Sequence, residues 1–139
     1  MKELEGLLAR FSAPGVPAMG PDEIPAEPPF REKLRTFAPG YFPGEGLARY
    51  PMLYIGEGYN TIFLIDRGRV IWTYSTGAGW EYDDIWMLSN GNILFSRMGW
   101  AAEVTPEKQT VWRMDAGLRE ELHTVQPIGR DHVLMAVNA

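Results

Sequence analysis

The strongest constraint on this chain is that it matches itself. Shifting the sequence by 40 residues lays "RVIWTYSTGAGWEYDDIWMLSNGNILFS" on "QTVWRMDAGLREELHTVQPIGRDHVLMA" without a gap. Trp72 then meets Trp112, Gly77 meets Gly117, Glu81 meets Glu121 and Leu94 meets Leu134. Conservative pairs surround these identities: Ile71 with Val111, Ile85 with Val125, Leu88 with Ile128 and Ile93 with Val133. A fixed period means one supersecondary unit used repeatedly, with each copy burying a face against the next.

The unit is made of strands. From residue 51 onward the chain is a series of short apolar runs, "MLYIG", "TIFLID", "VIWTYS", "DIWMLS", "NILFSR", "AAEVT", "TVWRMD", "HTVQPI" and "HVLMAV", rich in β-branched and aromatic residues. Arg67-Gly68, Asn90-Gly91 and Arg130-Asp131 join successive runs so tightly that neighbours must pair antiparallel. Asn90-Gly91 is the clearest of these, because both residue types tolerate the positive φ of a primed two-residue turn. Four strands per 40 residues is the spacing of a β-propeller blade. A sandwich would account for the strands but not for the matched tryptophans and turns.

Residues 1–50 form a second regime, and 51–139 the repeat. Nine of the eleven prolines lie at or before Pro51, and all five tryptophans lie at Trp72 or beyond. Leu4, Leu7, Leu8 and Phe11 recur at helical spacing, which predicts a short amphipathic helix over residues 2–11. A second short helix is expected over Phe30 to Phe37. The stretch "SAPGVPAMGPDEIPAEPP" between them has too much proline for a helix or a central strand and reads as an extended strap.

Composition narrows the function classes. The net charge of -5 and the lack of any dense Lys/Arg run argue against a nucleic-acid or anionic-membrane surface. With no cysteine, the chain has no disulfide, no thiolate nucleophile and no Cys-ligated metal. No run approaches the roughly 20 apolar residues of a membrane span. The charged start "MKELE" lacks the long apolar core of a secretion signal, so the chain as written reads as cytoplasmic, although nothing in it fixes the compartment.

"DDIWMLSNGNILFS", followed by "AAEVTPEKQTVWRMD" and "ELHTVQPIGRDHVLMAVN", resembles the repeat of bacterial propellers of the pyrroloquinoline-quinone-like and arylsulfotransferase-like type. In that repeat an acidic or His-containing start leads into "L-x-x-G-N-I-L" and then "V-x-E-V-x-P-x-x-x-V-W". The likeness spans about residues 52 to 138. It implies an all-β fold of antiparallel four-stranded blades. One complete blade would comprise strands at 84–89, 92–97, 101–105 and 109–115, flanked by the outer half of a blade before it and the inner half of one after it. A propeller closes with four to eight blades, or at least about 160 residues. The expected fold is therefore an incomplete propeller of two to three blades with a Pro-rich, partly helical N-terminal segment. Its open strand edges invite self-association into a ring, cover by the N-terminal segment, or completion by further chain.

In that phase Asp83 and Asp84 stand at the start of an inner strand, beside the channel. Adjacent carboxylates suit a hard cation or general-base chemistry, although strand alternation lets only one of them face the channel. His123 is the repeat equivalent of Asp83. The resemblance to arylsulfotransferase-like propellers makes it the best nucleophile or base candidate, and Glu121 lies two residues before it. Trp86, with Trp80 and Tyr82 nearby, offers an aromatic platform for a sugar ring or planar cofactor. Trp72 and Trp112 recur, so they read as packing groups between blades. His132 follows a turn and is expected to be exposed.

Two functions from different classes follow. One is a non-catalytic binding or scaffold module that presents Asp83, Asp84, Trp86, Glu121 and His123 to a carbohydrate, peptide or protein, with no cofactor or metal. The other is part of a quinoprotein-like oxidoreductase or a sulfotransferase-like enzyme. A quinone cofactor would need cations for its carboxylates, and only Arg97 and Arg113 lie within the complete blade.

Overall fold

The short apolar runs separated by turn residues yield the expected strands in a computed structural model that describes residues 2–13, 47–55, 61–75 and 82–138. The chain divides into two compact units, residues 18–81 and residues 1–17 together with 82–139. The Pro-rich strap, the second helix and Trp80 lie outside the described residues.

The first unit holds an antiparallel sheet of β1 (Met52–Tyr54), β2 (Ile62–Asp66) and β3 (Arg69–Tyr74), in that order. Ile62, Phe63, Leu64 and Ile65 are all buried, so β2 is covered on both faces and reads as a continuous apolar run rather than an alternating one. Arg67 and Gly68 both take positive φ, 51° and 75°, a primed two-residue turn, and the strands they join pair antiparallel as the sequence predicts. Trp72 is buried and stacks on Tyr74 at 6.0 Å between ring centroids.

The second unit contains helix α1 (Lys2–Phe11) and six strands. A four-stranded antiparallel meander runs β4 (Tyr82–Met87), β5 (Ile93–Arg97), β6 (Trp100–Val104), β7 (Thr110–Asp115), and a two-stranded sheet pairs β8 (Glu121–Ile128) with β9 (His132–Asn138). The strand bounds lie within one or two residues of the sequence-based ones. The largest shifts are two residues: β4 and β8 begin two residues earlier than expected, and β1 and β4 end two residues earlier. Phe95 sits at the centre of an aromatic cluster, edge-on to Tyr82 at 5.2 Å and to Trp100 at 5.4 Å. Burying each such ring contributes about 1.5–3 kcal/mol.

The Asn90-Gly91 turn differs from expectation. Only Gly91 has a positive φ, 83°, and the Leu88 carbonyl accepts from Gly91 N at 2.8 Å while Leu88 N donates to the Asn92 carbonyl. This is a longer hairpin turn with its glycine in the left-handed position, because Asn90 serves instead as an acceptor, its Oδ1 taking the Asn92 N–H at 2.9 Å. The β6–β7 turn uses the same bonding pattern with Lys108 at φ 67°. Helix α1 lies against the Gly91 turn, where Arg10 donates to the Asn90 carbonyl and a Cβ on Gly91 would come within 2.6 Å of the Arg10 guanidinium and 3.2 Å of Leu7. The nearby Glu107 carboxyl is held below its ordinary range chiefly by its own backbone N–H and by the Thr105 side chain, with a smaller contribution from Arg10.

Between the two sheets of this unit lies a small core of Leu94, Ala101, Leu122 and Val125, extended by Leu88, Trp112, Met114, Val133 and Met135. Trp112 thus packs between sheets, as its recurrence suggested. Three hydrogen bonds pin β8 across the seam. Leu122 N donates to the Met98 carbonyl at 2.8 Å, Ser96 Oγ donates to the His123 carbonyl at 3.2 Å, and Val125 N donates to Asp84 Oδ2 at 3.2 Å.

Two stability predictions follow from these contacts. Asp84→Ala leaves the Val125 N–H without its acceptor and should lower the unfolding free energy by about 1–3 kcal/mol in urea denaturation, whereas Asp84→Asn, whose one carboxamide oxygen can serve only one of the Ile85 and Val125 N–H groups, should lose less than Asp84→Ala without matching wild type. Gly91→Ala should cost about 1–2 kcal/mol through its positive φ and its collision with Leu7 and Arg10, while Gly99→Ala, with open space around it, should stay within about 0.5 kcal/mol.

Candidate functional site

Irregularities in two strands build the site. In β4 the pairing with β5 slips between Tyr82 and Asp84, so Asp83 is an extra residue opposite no partner of its own in the register. In β8 the pairing with β9 slips in the same way between Leu122 and Thr124, and the extra residue is His123. The two repeat equivalents are therefore both bulge residues. A bulge re-aims its side chain away from strict alternation, which is why the simple rule that neighbouring carboxylates face opposite sides does not decide the orientation of Asp83.

The bulges bring Asp83 and His123 together across the seam, with His123 Nδ1 3.9 Å from Asp83 Oδ1. Glu121 reaches the other ring nitrogen, its Oε2 lying 3.3 Å from His123 Nε2. The imidazole sits between two carboxylates. Its side chain and that of Glu121 are each 46% exposed, while that of Asp83 is 15% exposed and its Oδ2 is buried. The backbone beneath is fixed, because the His123 carbonyl is held by Ser96 and its neighbours Leu122 and Val125 carry the other two seam bonds. The cluster is a half-open, acceptor-rich patch on a rigid base.

Of the five residues singled out in the sequence, the structure brings three together. Asp84 is committed elsewhere, with Oδ1 taking the Ile85 N–H at 3.0 Å and Oδ2 the Val125 N–H. Trp86 is exposed, further along β4 and paired with Leu94. Ser96, which sequence reading passed over, orients the His123 backbone. Its only sequence signal is a polar residue directly after the apolar run "ILF". His132 is exposed, as expected, and pairs with Asp131 at 2.9 Å.

The basic residues of the meander are also engaged. Arg97 is buried, its guanidinium 4.6 Å from the Tyr82 ring centre and 5.9 Å from that of Trp100. Arg113 lies 4.2 Å over Trp100 and pairs with Asp115 at 2.5 Å. Both guanidinium groups are thus stacked on aromatic rings. Among the described residues no group of three His, Asp or Glu side chains is arranged to hold a metal ion, and no helix is long and apolar enough to cross a membrane.

The sequence matches no family model and no curated protein. Among solved structures it is similar to the crystal structure of a protein of unknown function from Bacteroides caccae, at 28% identity and a TM-score of 0.57, over 61% of this chain. The match takes in 32% of that protein, so the chain spans about a third of the length of the structure it resembles.

Proposed function

We propose that this chain is a β-propeller-type repeat segment, resembling the pyrroloquinoline-quinone-like and arylsulfotransferase-like repeats, and that it serves as a non-catalytic binding module. Its ligand site is the patch of Asp83, Glu121 and His123. The observation that carries this reading is the pair of bulges 40 residues apart, which set Asp83 and His123 side by side where two sheets meet. The 40-residue repeat, the four-strand meander β4 to β7 and the packing of β8 against it are what blades stacked in sequence require.

The chemistry of the patch selects a ligand that donates. Two carboxylates can accept several hydrogen bonds and attract a cation, and the net charge of -5 adds a long-range pull in the same direction. A peptide or protein segment that presents a Lys or Arg side chain meets these requirements best. Carbohydrate hydroxyls meet the hydrogen bonds without the charge.

The enzymatic alternative draws on one observation, the His123 imidazole beside a carboxylate, which is how a base or nucleophile is oriented. Here, however, a carboxylate stands by each ring nitrogen. The arrangement suits holding a donor better than attacking an electrophile.

The reading is checked with arrays of basic peptides and of neutral glycans, scored for the wild-type chain and for Glu121→Gln and His123→Ala. Both variants should keep their unfolding free energy within about 0.5 kcal/mol, since exposed charge pairs contribute little. Basic-peptide binding by Glu121→Gln should fall about 10- to 100-fold, in line with the loss of a charge-assisted hydrogen bond, and wild-type binding should weaken as salt rises. Unchanged binding in both variants would sink the assignment. Turnover of an aryl sulfate abolished by His123→Ala would establish the enzyme instead.

A further inference from the structure

The imidazole of His123 faces a carboxylate oxygen at each ring nitrogen, Glu121 Oε2 at 3.3 Å from Nε2 and Asp83 Oδ1 at 3.9 Å from Nδ1. The nearer pair is close to hydrogen-bonding distance and the other is an ion-pair separation. A neutral imidazole has one N–H and one lone pair, so it donates toward one carboxylate and turns a lone pair to the other. An imidazolium donates from both nitrogens. The two protonation states therefore present different surfaces to a ligand. One offers two carboxylates beside a neutral ring, and the other holds a cation between them.

The remaining charged groups around this strand are placed differently. β8 packs against β4, β5 and β6 and pairs with β9. On β4, Asp84 accepts from the Ile85 and Val125 N–H groups. On β5, Arg97 is buried with its guanidinium over Tyr82 and Trp100, and on β6 Glu103 accepts from the Asn90 and Asn92 carboxamides. Ahead of β8, Glu120 accepts from Gly117 N and Arg119 lies in an exposed turn, where a guanidinium keeps its charge at any pH in question. The second of the two histidines, His132 on β9, pairs with Asp131. Imidazole is the side chain whose charge ordinarily changes between about pH 5 and 8, and His123 is the one that stands in the patch.

We propose that His123 is a protonation switch on the patch. Neutral, it leaves Glu121 and Asp83 to a cationic ligand; protonated, it offsets their charge, draws on their acceptor oxygens and weakens the ligand's hold. This inference rests on the basic-ligand reading above and adds its regulation. The proton and the ligand's cation compete for the same carboxylates, so binding strengthens as pH rises through the imidazole range and weakens as pH falls. The states differ by one charge close to the bound cation on a half-exposed surface, which corresponds to an affinity change of about 3- to 10-fold. Linkage is reciprocal, so a cation that prefers the neutral ring releases protons from the chain when it binds.

The probe is a terminally blocked oligolysine, whose own charge is constant over this range, titrated calorimetrically into the full chain at about pH 8 and about pH 5.5. Wild-type affinity should fall about 3- to 10-fold between the two. Near the middle of the range binding should release part of a proton, read from heats in buffers of different ionisation enthalpy. Both effects should vanish in His123→Ala and persist in His132→Ala, while His123→Lys, charged throughout, should bind weakly at both pH values. The switch is overturned by equal wild-type affinity at the two pH values, by proton uptake on binding, or by a pH dependence that survives His123→Ala or disappears in His132→Ala. Absence of binding at either pH removes the basic-ligand reading and the switch with it; binding that ignores pH removes the switch alone.

Discussion

The seam between β8 and the β4–β5 hairpin is the constraint on which the site depends. Its apolar part is small, four fully buried side chains with a fringe of partly buried ones. Core contacts of that size favour contact between sheets without fixing register. Register comes from three directional bonds, to the Met98 carbonyl, from the Ser96 hydroxyl and to the Asp84 carboxylate, which seize residues 122, 123 and 125 in turn. The Asp84 bond is charge-assisted and so among the stronger of its kind. Asp84 thus acts on the patch from below, by holding the strand on which His123 is displayed, while its neighbour Asp83 forms part of the surface.

This division of labour explains why two adjacent carboxylates are tolerated next to one imidazole. Asp84 has its oxygens satisfied by backbone N–H groups of β4 and β8, so its charge is solvated by the fold. Asp83 is mostly covered, whereas Glu121 and His123 stay half in water, where screening keeps their mutual interaction weak. The half-exposed Glu121 and His123 therefore cost the fold little. That balance, together with the engagement of Arg97 and Arg113 in aromatic stacking and ion pairing, is why we propose binding rather than transfer chemistry.

Much of the architecture was legible because strands and turns are written locally. The short apolar runs between turns located every described strand to within two residues, and the 40-residue match correctly marked Trp112 as a packing group between sheets. The form of the Asn90-Gly91 turn was not legible, since Asn90 can either take positive φ or accept a hydrogen bond through its side chain, and the choice depends on how Leu88 and Asn92 pair. The role of Asp84 was also hidden. Its partner, the Val125 N–H, is 41 residues away, and no composition or periodicity records which backbone group a carboxylate will meet.

The bulges are a different case, because the sequence does carry a trace of them. In an unbroken strand, residues three apart point to opposite faces. Yet Leu122 and Val125 are both buried in the same small core, and Tyr82 and Ile85 pair with Arg97 and Phe95, which lie two apart in β5 and so share a face. An odd spacing between residues that face the same way requires one extra residue in between, and here that residue is Asp83 in one strand and His123 in the other. The insertion leaves the core pattern on either side intact while freeing one side chain from it. A polar residue flanked by core positions three apart, found twice at the repeat distance, is therefore the signature that distinguishes this patch from carboxylates and histidines scattered over a sheet surface.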